Sequence, residues 1–465
     1  MLIAGGEVGG VAGLDVRVTG DEVAEVGAGL GREPGEEVVD ARGGAVVPAL
    51  WDHHVHLRAM AAARTSVEVG PPAVRNRDEL ACALRRAAAA APPDGWVRAV
   101  GYHESVAGPL DRWALDRLVP DRPLRAQHRS GALWVLNSAA VAATGAADAP
   151  EVGVERDADG VPTGRLWRLD RWLASALPRR ALDLAGVSAD LARLGVAGVT
   201  DADPHRTQAD VDLLADAAAR GDLRLRVMVM SAAGLQLDHR RRVVAGPRKL
   251  LLDDTSLLPH DELVAWLAAA HGAGEPVAVH CVTRLQLVAT LAALDDAGGR
   301  PGDRIEHGSV VPAELRPLLR DLGLTVVTQP NFVAERGDRY LAEVDADDQP
   351  FLYPCASLRA AGVPVAAGTD APFGRPDPWA AMRAATTRRT ATGLPLLPAE
   401  RVDAATALAL FQGHPAAPAT PRRVAPGQPA DLCVLDRPLA DALLALTPEV
   451  VAVTLAGGRV IADNR

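Results

Sequence analysis

The sequence predicts an α/β fold: a (β/α)8 barrel of the TIM type, with a small β-sandwich built from both chain ends. Three observations carry this. Through the middle, apolar runs of strand length alternate with Ala/Leu/Arg-rich helical stretches, the pattern of βα units in a parallel sheet. The two ends instead show short alternating segments broken by glycine turns. Once one long Trp-, Pro- and Gly-rich stretch is set aside as an insertion, the strands number eight, as a barrel requires.

At the start, Val16–Val18, Val23–Val26 and Glu37–Val39 are the β segments. At the end, Asp431–Leu435, Val450–Leu455 and Arg459–Ile461 match them, the last two joined by a Gly457-Gly458 turn. The predicted division is residues 1–45 plus 421–465 for the sandwich and 46–420 for the barrel. An insertion of about 60–185 follows the first barrel strand. Candidate strands lie near 45–51, 196–201, 223–230, 249–252, 276–280, 303–307, 324–328 and 364–369. Two more, near 97–101 and 123–127, fall in the insertion.

Bulk properties narrow the function. The chain has 465 residues, 48% hydrophobic and 23% charged, enough for a large core. Its net charge of −10 argues against a nucleic-acid partner, which wants a basic face. Cys82, Cys281, Cys355 and Cys433 are scattered, which argues against a disulfide framework or a Cys-ligated zinc and fits a reducing compartment. The first residues have neither a basic nor a long apolar region, so they read as no signal peptide. No run is long and apolar enough for a bilayer span. The expectation is a cytoplasmic enzyme acting on a small molecule, with a homodimer expected from the barrel class.

Catalysis in such barrels sits at the carboxyl ends of the strands. There the sequence places His54 and His56, two apart in extended chain and so facing one way. Lys249 begins the fourth predicted strand; His280 ends the fifth, His307 the sixth, and Asp370 follows the eighth. Imidazoles with a carboxylate suit zinc and similar divalent ions. Taken singly, each has an ordinary reading: His280 as a hydrogen-bonded core residue, Asp370 before Ala-Pro as a turn or cap, Lys249 as an exposed neighbour of Arg248. Joint placement on strands one, four, five, six and eight favours metal for the His and Asp set. Lys249 enters that set only if its amine reacts with carbon dioxide, giving a carbamate able to bridge two ions. One or two ions would activate water for attack, with Asp370 shuttling its proton to a leaving nitrogen.

These residues resemble the amidohydrolase superfamily, in its amidohydrolase-3 (YtcJ-like) branch, over nearly the whole chain. Similar segments are Pro48–Leu57, Arg248–Asp253, Pro276–His280, Arg304–Gly308, Gln329-Pro330, Gly368–Pro372 and Gly427–Asp436. The resemblance implies a metal-bearing barrel, a composite β-sandwich and hydrolysis of C–N bonds in amides, formamides or related compounds. It implies His54, His56, His280, His307 and Asp370 as ligands, with Lys249 N6-carboxylated. Departures fall in the insertion and the loops. Gly131-Ala132 stands where the family commonly has Gly-His, Asp253-Asp254 replaces Asp-Gly, and Cys281–Arg284 replaces a Gly-Asp loop. Metal chemistry reads as intact and specificity as rewritten. A non-hydrolytic metal enzyme, such as a decarboxylase, lyase or isomerase, is the alternative on the same barrel.

Substrate contacts are expected on loops above the metal rim. Tyr102, His103, His128, Arg129, Gln329 and Asn331 are the candidates, with Glu104 and His205 nearby in sequence to them or to a strand end. Trp134 reads as core. Glu306, preceding His307, should point away from the barrel axis and serve structure only. Arg240, Arg241 and Arg242 read as a solvated charge run.

Overall fold

Eight apolar segments pair in register as one parallel sheet. In this computed structural model, which describes residues 1–465 apart from 93–94, 150–151, 178–181, 232–233 and 236–241, they are β1 (Leu50–Val55), β2 (Val196–Asp201), β3 (Arg226–Ser231), β4 (Val243–Leu251), β5 (Val277–Cys281), β6 (Arg304–His307), β7 (Thr325–Thr328) and β8 (Val365–Ala367). They lie side by side in chain order. A bridge between Val55 and Ala371 brings the last strand back to the first. β1, β2 and β6 are buried along their whole lengths, as expected of parallel strands covered on both faces.

Amphipathic helices follow the strands. In Arg284–Ala297 the buried positions Leu287, Thr290, Leu291 and Leu294 recur at helical spacing, and Thr283 caps the start by accepting from Gln286 N. Gly198 leaves the room Trp51 needs: a Cβ there would lie 2.2 Å from the indole. Trp51 Nε1 then donates to Thr200 Oγ1 at 3.0 Å, tying β1 to β2.

Two boundaries differ from the sequence expectation. The stretch 45–51 is two strands. Val46–Pro48 pairs antiparallel with Leu432–Val434 in the terminal sheet, and β1 begins only at Leu50. β4 starts at Val243, so Lys249 sits near the carboxyl end of that strand and not at its beginning. Pro247, two residues before Lys249, reads as a strand breaker and hides the earlier half.

Both chain ends contribute to one apolar core. Ile3, Val16 and Val23 pack with Leu432, Val434 and Val453, drawn from a sheet of residues 2–40 and one joining 46–48 to 432–463.

Arg58–Asp183 forms a separate compact unit. Its six-stranded sheet includes Val97–Tyr102 and Leu124–His128, which are parallel neighbours. The strands Leu133–Leu136, Val154–Arg156 and Pro162–Trp167 were not expected from sequence. Trp134 is buried, as expected for a core residue, and its Nε1 donates to Asp170.

Candidate metal centre

Alternation along β1 puts Asp52, His54 and His56 on one face. Asp52 works as a splice between strands. Its carboxylate accepts from Thr369 N at 2.9 Å, Thr369 Oγ1 at 2.6 Å and His54 N at 3.2 Å. Gly368 permits the close approach, since a Cβ there would meet His54 N at 2.5 Å. Asp370 N then donates to His54 O at 2.8 Å. Asp370 Oδ1 consequently lies 3.5 Å from His54 Nε2 and 3.1 Å from His56 Nε2.

Those three ligand atoms all fall within 4.8 Å of one another. Ligands about 2.0–2.1 Å from a tetrahedral ion stand about 3.3 Å apart. The two measured separations bracket that value, so the residues fit a divalent cation.

A second group adjoins the first. The His307 ring centroid is 4.7 Å from that of His54 and 4.5 Å from that of His280. Lys249 is buried, and its Nζ finds no hydrogen-bond partner among the described residues. Burial pushes its pKa down to about 8 against the pull of Glu306. An amine so placed is costly as a cation and readily neutral. An orphaned buried amine beside imidazoles is a second sign of a missing group.

The imidazoles are oriented from behind. His307 Nδ1 meets Gln329 Oε1 at 2.7 Å, which can only accept, so the proton is on Nδ1 and Nε2 is left as a donor to metal. His54 Nδ1 meets Glu306 in a short contact with the same consequence. This corrects the expectation for Glu306, which turns inward onto His54. The cause lies next door: His307 has φ +71°. A strand ending in that conformation abandons simple alternation, so both Glu306 and His307 reach the interior. Arg304 Nε holds the other Glu306 oxygen at 2.5 Å, and its Nη2 donates to His53 O at 2.7 Å.

These contacts set the charges. Burial raises the Glu306 pKa, but Arg304, His54 and Lys249 outweigh it and hold the carboxyl well below the usual range. Asp370 is likewise depressed despite burial, chiefly by its bond to His56. His54 falls to about 3, mainly from burial. His56 moves the other way: burial opposes its charge, but Asp370 wins and raises it. Asp52 is pushed up to about 7 by burial, in spite of its three donors.

The expected substrate contacts divide. Tyr102 is buried in the inserted unit's core, with its hydroxyl donating to Gly108 O. Gln329 spends its amide on His307 and Val327 O. Both are therefore committed to the fold and are corrected as open substrate contacts. His103 and His128 meet at Glu104 within the inserted unit, and Arg129 N donates to Tyr102 O. Asn331 is buried, donates to Thr369 O at 3.0 Å, and leaves Oδ1 without a partner among the described residues. His205 is exposed, its N–H on Asp203. Arg240 and Arg241 lie outside the described residues, while Arg242 donates to Arg224 O.

Sequence reasoning missed Asp52, Thr369 and Phe373, whose ring stands 5.2 Å from that of His56. Asp52 had a signal, being two residues before His54 on the same face; Phe373 had none.

A parallel eight-stranded barrel with this His/Asp set at its carboxyl end defines an amidohydrolase-type enzyme. The chain belongs to the amidohydrolase family, whose Amidohydro_3 model matches residues 37–462. It is similar to the N-substituted formamide deformylase of Arthrobacter pascens, at 28% identity over 92% of this chain and 89% of that protein. It also resembles the putative amidohydrolase YtcJ of Bacillus subtilis (strain 168), at 25% identity over 77% and 76%. Among solved structures, an uncharacterized metal-dependent hydrolase from Pyrococcus horikoshii OT3 superposes with a TM-score of 0.73. It covers 99% of each chain at 18% identity, which shows the shared fold.

Proposed function

We propose that the protein hydrolyses an amide-type C–N bond in a small N-formyl, N-acyl or cyclic amide. The observation that carries this is the convergence of His54, His56 and Asp370 within 4.8 Å, beside His280, His307 and a buried Lys249 whose Nζ has no hydrogen-bond partner among the described residues. The similarity to an N-substituted formamide deformylase supports the bond type.

His54, His56 and Asp370 would hold one divalent ion, zinc being the best match to the donors; His280, His307 and carboxylated Lys249 would hold a second. Such ions polarise a carbonyl and lower the pKa of water. Carboxylation joins the Lys249 Nζ lone pair to the carbon of CO2 and releases one proton, giving a carbamate anion. The depressed amine pKa provides the neutral form this needs.

Asp370 is ionised and is the proton acceptor. As water oxygen bonds to the carbonyl carbon and the C–N bond breaks, Asp370 takes a water proton and delivers it to the leaving nitrogen. A strongly depressed carboxyl releases that proton readily. With Ala132 in place of the family's commoner histidine, preference within the substrate class is expected to differ from that of relatives.

The test is a panel of N-substituted formamides, N-acyl amino acids and cyclic amides, with formate, carboxylate and amine release measured in isotopically labelled water. Solvent oxygen in the product is expected. Turnover without it would establish a non-hydrolytic reaction.

A further inference from the structure

We propose that His103, Glu104 and His128 form a second divalent-cation site, of the zinc class, within the inserted unit. It does not depend on the amide-hydrolase reading.

The site begins as a repeated local pattern. His103-Glu104-Ser105 and His128-Arg129-Ser130 both read His-X-Ser, and both lie at the carboxyl ends of the parallel strands Val97–Tyr102 and Leu124–His128. Register pairs Tyr102 with His128, which sets the two imidazoles side by side, centroids 5.8 Å apart. In each, the serine two residues on holds the ring from behind. His103 Nδ1 lies 2.8 Å from Ser105 Oγ, and His128 Nδ1 lies 2.7 Å from Ser130 Oγ. The backbone N–H of each serine also donates to the same nitrogen, at 3.2 Å.

With both Nδ1 atoms turned to serines, both Nε2 atoms face one carboxylate. Glu104 Oε2 is 3.0 Å from His128 Nε2 and 4.0 Å from His103 Nε2. The three ligand atoms lie within 4.8 Å of one another. Two imidazoles and a carboxylate at separations straddling about 3.3 Å are what a tetrahedral ion requires, with one position left for water. Binding a cation at Nε2 requires the proton on Nδ1, where each serine Oγ would accept it in place of the backbone N–H donation. The side chains of His103 and His128 are 15% and 12% exposed and that of Glu104 41%, so the site is open to ions.

The experiment counts zinc. Untagged protein is stripped with chelator, reloaded with excess zinc chloride, dialysed, and analysed for zinc per chain. H103N/H128N should hold one equivalent less than wild type, whatever the barrel holds in both. Loading with cobalt(II) should give a wild-type visible spectrum from which the variant lacks one component. E104Q keeps both imidazoles and should weaken zinc at this site about 10–100-fold, which serves if the double variant fails to fold. Zinc content and affinity equal to wild type in either folded variant would overturn the proposal.

Discussion

The histidines of the barrel and those of the inserted unit are held by opposite means. Behind His54 stands Glu306, 252 residues away in sequence, and behind His307 stands Gln329, 22 away. Behind His103 and His128 stand serines only two residues on. The first arrangement exists only when the whole barrel closes; the second is written into two short loops. The barrel centre is buried and depends on partners distant in sequence, whereas each ring of the loop cluster is held by its own loop.

The largest expected effect tests the barrel centre itself. D370N removes the proposed proton acceptor and the carboxylate charge of the proposed metal site, and should cut kcat/KM by about 10²–10⁴-fold with the fold retained. Steady-state kinetics and circular dichroism check it; a tenfold loss or less would place the proton transfer elsewhere.

Next comes the long-range support. E306Q leaves Arg304 and His54 without their buried carboxylate, which should cost about 3 kcal/mol or more in stability. It should also weaken metal binding about 10–100-fold. Unfolding curves and chelator competition read both. Unchanged stability would show that the barrel centre does not depend on this distant partner.

A pH experiment sharpens the same contrast. The Asp52 pKa is raised by burial to about 7 from 3.8. The folded state therefore holds this proton more tightly than the unfolded chain. Stability from Asp52 is fully present below pH 3.8 and is lost as pH rises through about 7. D52N keeps an acceptor for Thr369 N and His54 N, and it should flatten the stability-against-pH curve over that interval. Denaturant midpoints at several pH values measure the difference; parallel curves would count against a protonated Asp52.

The smallest effect belongs to the loop cluster. S105A or S130A should cost about 0.5–1.5 kcal/mol, one hydrogen bond's worth, in the unfolding of the inserted unit. A larger loss, matching that of E306Q, would erase the distinction between the two regions.

Much of this was legible in the sequence because strand ends and ligand chemistry coincide. His54, His56, His280, His307 and Asp370 are reactive types at the ends of apolar runs; ligand atoms of His54, His56 and Asp370 lie within 4.8 Å of one another, and the His307 ring lies beside those of His54 and His280. Lys249 was found by type and strand, although Pro247 concealed where its strand begins. What escaped depended on backbone conformation or on tertiary closure. Glu306 was given the wrong face because nothing in Arg304–His307 announces the left-handed turn of His307. Gln329 was expected to wait for substrate, since its pairing with His307 exists only across two strands. The His-X-Ser pairs were visible as residues, but their meeting required the parallel register of their strands.

The left-handed backbone at Asp370 and His307 has a practical consequence for anyone seeking an inert form that still captures its substrate. Alanine at either position would silence the chemistry but also penalise the local conformation by about 1–2 kcal/mol, loosening the surface meant to be preserved. Asparagine tolerates that geometry better than most side chains and nearly copies the outline of aspartate. Between D370A and D370N, the second is the better bait.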